Sequence, residues 1–290
     1  MVHSSMAQAR NFGDLPEEYS VLGNARIVII PVPYDQTSTW IKGADKGPAA
    51  IIEASANMEL YDIETDCEVY RKGIFTAEAL KVGGLSPEDM VEIVREKVGG
   101  YIEKKKFAVV VGGEHSVSIG PIKAHVKNSA DVTVLQLDAH TDLRDEYNGS
   151  KYNHACVMAR VREVCPILQV GIRSMDACEK GFIDRGRVFF GEDIHNRTGW
   201  IDEAVGKLSE KVYVTIDLDV FDPSIMFSTG TPEPGGLLWY DVLRLLKVVS
   251  DKKDIVGFDV VELCPDERNK APDFLAAKLI YKLLSYKFRG

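Results

Sequence analysis

Positive charge is in short supply in this sequence. Its 35 lysines and arginines are outnumbered by 44 aspartates and glutamates, leaving a formal net charge of −9. The one basic run, Lys104-Lys105-Lys106, reads as the solvated end of a helix. That balance disfavours nucleic acid as a partner. Cysteine is scarce too: Cys67, Cys156, Cys165, Cys178 and Cys264 make an odd number, with no Cys-x-x-Cys among them. A disulfide framework is therefore not expected, and a reducing compartment is the default. No apolar run reaches the roughly 18 residues of a membrane span, and the N-terminus lacks the charged-then-apolar order of a signal peptide. The expectation is a cytoplasmic protein without a membrane partner. Internal repeats, low-complexity tracts and linker-like stretches are missing as well.

What is there is a regular alternation. Residues 1–20 are polar and read as an N-terminal arm, and 21–290 read as a single domain. Apolar, β-branched runs begin at Ala25–Pro31 and recur at Phe107–Val111, Val132–Leu137, Ile167–Val170, Val188–Phe190, Val212–Ile216 and Ile255–Phe258. Such continuous runs suit strands buried on both faces. Between them, helices are predicted over 88–105, 116–127, 153–164, 199–209, 239–251 and 271–286, with Pro87 and Pro272 near helix starts. Strand–helix alternation predicts an α/β protein, a mostly parallel sheet covered by helices on both faces.

Three strand ends carry chemistry. Asp138-Ala139-His140-Thr141-Asp142 directly follows a strand; in extended backbone its three polar side chains share a face, at the carboxyl edge where open α/β sheets bind ligands. Asp217-Leu218-Asp219 follows another strand, and two carboxylates so close repel unless protonated or bound to a cation. Gly112-Gly113-Glu114-His115-Ser116 closes a third, where the glycines would let the backbone come close to a bound group. It is not a phosphate loop, since the Gly-x4-Gly-Lys-[Ser/Thr] pattern is absent. Any one of these alone is an ordinary cap or turn. Together, Asp138, Asp142, Asp217 and Asp219 offer four negative charges and His115 and His140 two imidazoles, which two divalent cations would neutralise. Mixed His and carboxylate ligands suit Mn, Zn or Fe(II), and the lack of thiolate argues against a structural zinc site.

These three motifs resemble the metal motifs of the ureohydrolases, the family that includes arginase and agmatinase. Thr229-Gly230-Thr231-Pro232-Glu233-Pro234-Gly235-Gly236 is similar to the substrate loop of that family, and the resemblance runs from about Phe12 to the C-terminus. The stretch from Leu143 to Cys156 looks like the agmatinase version, as do Pro31–Asp35 and Lys46-Gly47-Pro48; the segment with which arginases hold the amino-acid end of arginine has no obvious counterpart. Phe227 departs from the usual proline and Gln36 from the usual glycine, both in loops expected near the mouth.

The resemblance implies a three-layer, arginase-like αβα fold. It implies two divalent ions, Mn(II) by family habit, held by His115, Asp138, His140, Asp142, Asp217 and Asp219. These ions would arm a bridging hydroxide for attack on a guanidinium carbon. Asp142 would also steady that nucleophile. His154 would carry a proton to the leaving amine, a task suited to a group titrating near pH 6.5, and would contact substrate. Glu262 would grip the guanidinium, with Thr231 a further substrate contact, and Asp259 would support a metal-bound histidine. Asp145, Glu146 and Glu233 are candidates for attracting a distal amine. The expected reaction is agmatine and water to putrescine and urea. Rivals are hydrolysis of guanidinobutyrate, aminopropylagmatine or arginine, a formimidoyl-type relative, a metal-dependent deacetylase, and a non-catalytic metal-binding protein. The resemblance further implies a homo-oligomer, trimer or hexamer, with the apolar C-terminal helix available as an interface. His3, His125 and His195 read as structural or solvated, and Cys264 as a small buried filler.

Overall fold

The computed structural model describes residues 11–289. Among them, eight strands form one sheet: β1 (Ile27–Val32), β2 (Ile74–Thr76), β3 (Phe107–Gly112), β4 (Val132–Leu137), β5 (Ile167–Ile172), β6 (Val188–Phe190), β7 (Lys211–Asp217) and β8 (Asp254–Val261). Their spatial order is β2-β1-β3-β8-β7-β4-β5-β6. Every pairing is parallel, so the sheet is wholly rather than mostly so.

Period-two alternation assigns the two faces. Ile27, Ile29, Val109 and Val111 point into one core, closed by helices Gly47–Ser55, Trp200–Gly206, Trp239–Lys252 and Ala271–Phe288. Val28, Ile30, Val32, Ala108 and Val110 point into the other, under helices Pro87–Glu103, Ile119–Asn128 and Val157–Val161. Helix Pro87–Glu103 starts where Ser86 accepts the Asp89 N–H and Pro87 needs no partner, the arrangement that favours a helix N-terminus.

The structure departs from the sequence reading at several places. Residues 1–10 of the expected arm lie outside the described residues, but Phe12 and Leu15 are buried in the core rather than solvated. Strand β2 and helices Gly47–Ser55 and Gly191–Asn196 were not anticipated. The helix expected over 153–164 is a single 3-10 turn, His154–Cys156, followed by the short helix Val157–Val161. Helix Ala271–Phe288 buries most of its apolar residues inside the molecule and leaves Phe274 exposed at its N-terminal end.

Candidate active site

Strands β3, β8, β7 and β4 are consecutive neighbours at the centre of the sheet. Immediately past their carboxyl ends come His115, Glu262, the Asp217–Asp219 pair and the Asp138–Asp142 segment. Sequence positions up to 147 apart are thus brought together; the His115 N–H donates to Glu262 Oε1 at 2.7 Å.

The six expected ligands fall into two nests. His115 Nδ1 lies 3.1 Å from Asp138 Oδ2, 2.9 Å from Asp142 Oδ2 and 3.4 Å from Asp217 Oδ2. His140 Nδ1 lies 2.9 Å from Asp219 Oδ2 and 3.6 Å from Asp138 Oδ1. Asp138 therefore turns one oxygen to each nest. Asp217 and Asp219 hold their second oxygen on backbone: Asp217 Oδ1 accepts the Asp219 N–H and Asp219 Oδ1 accepts the Ala139 N–H. His115 Nδ1 is buried yet has no hydrogen-bond partner of adequate geometry, although three carboxylate oxygens surround it. A nitrogen lone pair and oxygens converging on one point fit a cation better than a proton. The groups His115–Asp138–Asp142 and Asp138–His140–Asp219 each place their ligand atoms within 4.8 Å of one another. The donor set fits two divalent ions of the Mn, Zn or Fe(II) kind.

Charge crowding says the same. Burial and the charge of Asp138 push Asp142 up to about 7. Burial, then Asp219 and Asp138, push Asp217 well up as well. Burial would lower His140, but Asp219 and Asp138 override it and hold the imidazole at about 12. Without cations the site keeps protons that metal binding would expel.

The ligands are braced from behind. His115 Nε2 sits 3.0 Å from Thr215 Oγ1, which donates to Asp259 Oδ1 at 2.7 Å; Tyr213 and Ser118 also donate to Asp259. Asp259 thus supports the histidine through Thr215 rather than directly. Gln136 donates to Asp138 Oδ2. Glu179 accepts from Thr141 Oγ1 and the Leu143 N–H, bracing the turn in which Asp142 adopts φ 51°. Left-handed backbone at a non-glycine residue is strain of the kind that gathers at functional sites, and Glu262, at φ 68°, carries it too. The expected role of Gly113 needs correcting. A Cβ there would lie 2.0 Å from the Tyr34 carbonyl oxygen, so the close approach is to backbone, not to a bound group.

Above the nests is a cavity of about 290 Å³ lined by His115, His140, Asp142, Asp217 and Asp219 together with His154, Glu262 and Thr231. All the expected site residues except Asp138, which is fully buried beneath, therefore reach one space. Glu262 Oε2 faces Gly230. His154 does not match its expected titration near 6.5. Burial, aided by the positive charges of His115 and His140, lowers it to about 4. Trp40, Ile41, Tyr147, Met175 and Asp176 also line the cavity; they are scattered loop residues that no spacing announces. Gln36 and Phe227 do not line it. His125 is buried against Tyr213, with ring centroids 4.9 Å apart. Cys264 is buried, as a filler would be.

Imidazoles and carboxylates gathered without thiolate at the carboxyl edge of a parallel sheet, over an open cavity, are the equipment of a two-ion metallohydrolase. The chain belongs to the Arginase family, whose sequence profile matches residues 25–285. It is 38% identical over 280 residues to the N(1)-aminopropylagmatine ureohydrolase of Synechocystis sp., covering 93% of this chain and 92% of that one. To the agmatinase of Pyrococcus horikoshii it is 34% identical over 272 residues, 92% and 93% of the two chains. Its fold superposes on proclavaminate amidino hydrolase from Streptomyces clavuligerus with a TM-score of 0.88, covering 98% of each chain at 28% identity. The chain is thus a ureohydrolase, cleaving C–N bonds of linear amidines. No helix among the described residues is long and apolar enough to cross a membrane.

Proposed function

We propose that this chain, through one catalytic domain over residues 21–290, hydrolyses agmatine to putrescine and urea with Mn(II) in both nests. The observation that carries the reading is the single cavity that holds Glu262, His154 and the two ligand nests. Two bound ions would supply hydroxide near neutral pH by lowering the pKa of water. The chain's own residues do the rest. Glu262 takes two N–H groups of the planar guanidinium, and its side chain is held in place by the His115 N–H. Asp142 orients the attacking oxygen. His154, neutral at pH 7, takes up the proton that oxygen sheds. As the new C–O bond forms and the bond to the alkyl nitrogen breaks, His154 passes the proton to the departing amine.

The rim favours an amine over a carboxylate at the far end of the substrate. Arg144 lies 3.5 Å from Asp176 and stacks on Tyr147 at 4.3 Å, and Lys151 lies 3.5 Å from Asp145. These acidic partners offset the pull of both cations on guanidinobutyrate or on the carboxylate of arginine. A second reading, N1-aminopropylagmatine as substrate, draws on the identity to the Synechocystis protein and on Trp40, which is 70% exposed and lines the cavity, as apolar footing for a longer chain. Self-association into a trimer or hexamer fits the exposed Ile63, Leu238, Tyr240 and Phe274, and light scattering would size it. A cytoplasmic site suits free cysteines.

Urea release from agmatine, N1-aminopropylagmatine, arginine and guanidinobutyrate after Mn loading tests the proposal. Highest kcat/KM on agmatine supports it. Preference for aminopropylagmatine moves the assignment to the second reading. Turnover of an acidic substrate above both, or of none, overturns it.

A further inference from the structure

Behind His154 lies a buried acid with no counter-ion. Glu114 is fully buried, and among the described residues it takes part in no ion pair. Its carboxylate is held instead by three donors: the Ser116 N–H at 2.9 Å, the Ser116 hydroxyl at 2.9 Å and the Thr37 hydroxyl at 2.8 Å. With three donors converging on the one carboxylate, the Thr37 hydroxyl spends its proton there. Thr37 reaches the other way as well. Its Oγ1 accepts the backbone N–H of His154 at 3.0 Å and lies 3.3 Å from His154 Nδ1.

A threonine hydroxyl has one proton and two acceptor sites. Here the proton goes to Glu114, so toward the imidazole the oxygen can only accept. The partner it requires is an Nδ1–H. That fixes the neutral ring as the Nδ1–H tautomer and leaves the lone pair on Nε2, free to take up a proton on the cavity side. Among the described residues, His154 Nδ1 has no other hydrogen-bond partner to set the tautomer.

We propose that Thr37 and Glu114 are positioning residues that hold His154 in its Nδ1–H tautomer and orientation for proton transfer. The inference rests on the reading of His154 as the proton carrier. The carboxylate acts at one remove, with the hydroxyl inserted between acid and imidazole. Neither residue lines the cavity.

The test compares T37V, T37S and H154A in the metal-loaded protein, with metal content measured for each. T37V keeps the side-chain shape but removes the hydroxyl. It should lower kcat roughly 10- to 100-fold, at or below the low end of what a proton-transfer group contributes because the imidazole itself remains, with KM little changed and both metal equivalents retained. T37S should recover most of the rate. Equal losses in T37V and T37S would overturn the relay, because the hydroxyl would not then be the cause. Wild-type kcat in T37V alongside an inactive H154A would overturn the relay and leave the proton-carrier reading standing; an active H154A would sink that reading itself. Should T37V fold poorly, long-range 1H–15N spectra of histidine-labelled wild-type protein decide the matter. A neutral His154 protonated on Nδ1 supports the relay, and one protonated on Nε2 refutes it.

Discussion

Asp217 and Asp219 each commit one oxygen to a backbone N–H and turn the other toward an imidazole, whereas Asp138 turns one oxygen to each nest. Replacing them should therefore have unequal consequences. Asp138→Asn should strip both ions, while Asp219→Asn should strip mainly the ion at His140, so that metal analysis after desalting gives near zero equivalents for the first and near one for the second. Equal losses would show that Asp138 is not shared. Thr215 matters for a different reason: it joins His115 Nε2 to Asp259 without approaching an ion. Thr215→Val should weaken metal affinity by roughly 10- to 100-fold, the usual cost of removing a partner that orients a ligand, and competition with a chelator would read it. The ligands themselves were legible in the sequence because all three motifs stand at the ends of apolar strands; the extended spacing itself does not persist, since Asp142 turns left-handed and Leu218–Val220 is a 3-10 turn. The braces were not. Thr215, Gln136 and Glu179 are ordinary residues of strands and turns, and only the folded register brings them behind the ligands.

Among the elements, legibility followed length and burial. The central strands β3, β4, β7 and β8 are β-branched runs of six to eight residues, buried on both faces, and their strand character shows in composition alone. Strand β2 has three residues at the sheet edge, too few to show a period. Helix Gly47–Ser55 hides behind Gly47-Pro48, a pair that reads as a turn until Pro48 is seen at the first helical turn. Glycine has a second use in β8. Gly257 has no room for a side chain, because a Cβ would lie 2.4 Å from His125 Nε2 on helix Ile119–Asn128. Gly257→Ala should force that helix off the sheet at a cost of about 1–3 kcal/mol, as overpacking does. Urea denaturation would show the midpoint fall while the slope is unchanged. A wild-type midpoint would mean that His125 moves aside freely.

At the scale of the whole molecule, the buried histidines and acids tie stability to pH with opposing slopes, which offset one another below about pH 6.5 and leave only the ligand cluster's above it. His125 is lowered to about 4 by burial. Between about 4 and 6.5 the unfolded chain binds a proton that the folded one refuses, so the His125 contribution rises with pH there and is flat above. The ligand cluster runs the other way. Asp142, raised to about 7, and His140, raised to about 12, hold protons in the ion-free fold that the unfolded chain gives up at ordinary values near 3.8 and 6.5. Their linkage therefore lowers stability as pH rises, through the window from 3.8 to about 7 for Asp142 and from 6.5 to about 12 for His140. Above about 6.5 only the cluster slope remains. Divalent ions bound in the nests would replace those protons and abolish the slope. The chelated protein should lose Tm steadily from pH 6.5 to 8.5, while protein in excess Mn(II) stays level. Each of the two sites, filled at a hundred times its Kd, adds about 2.7 kcal/mol, so the gap between the two curves should reach about 10–20 °C and widen with pH. Calorimetric scans in matched buffers measure it. A gap that narrows toward pH 8.5 would mean that the cluster does not hold those protons, and the electrostatic case for a pair of cations would fail with it.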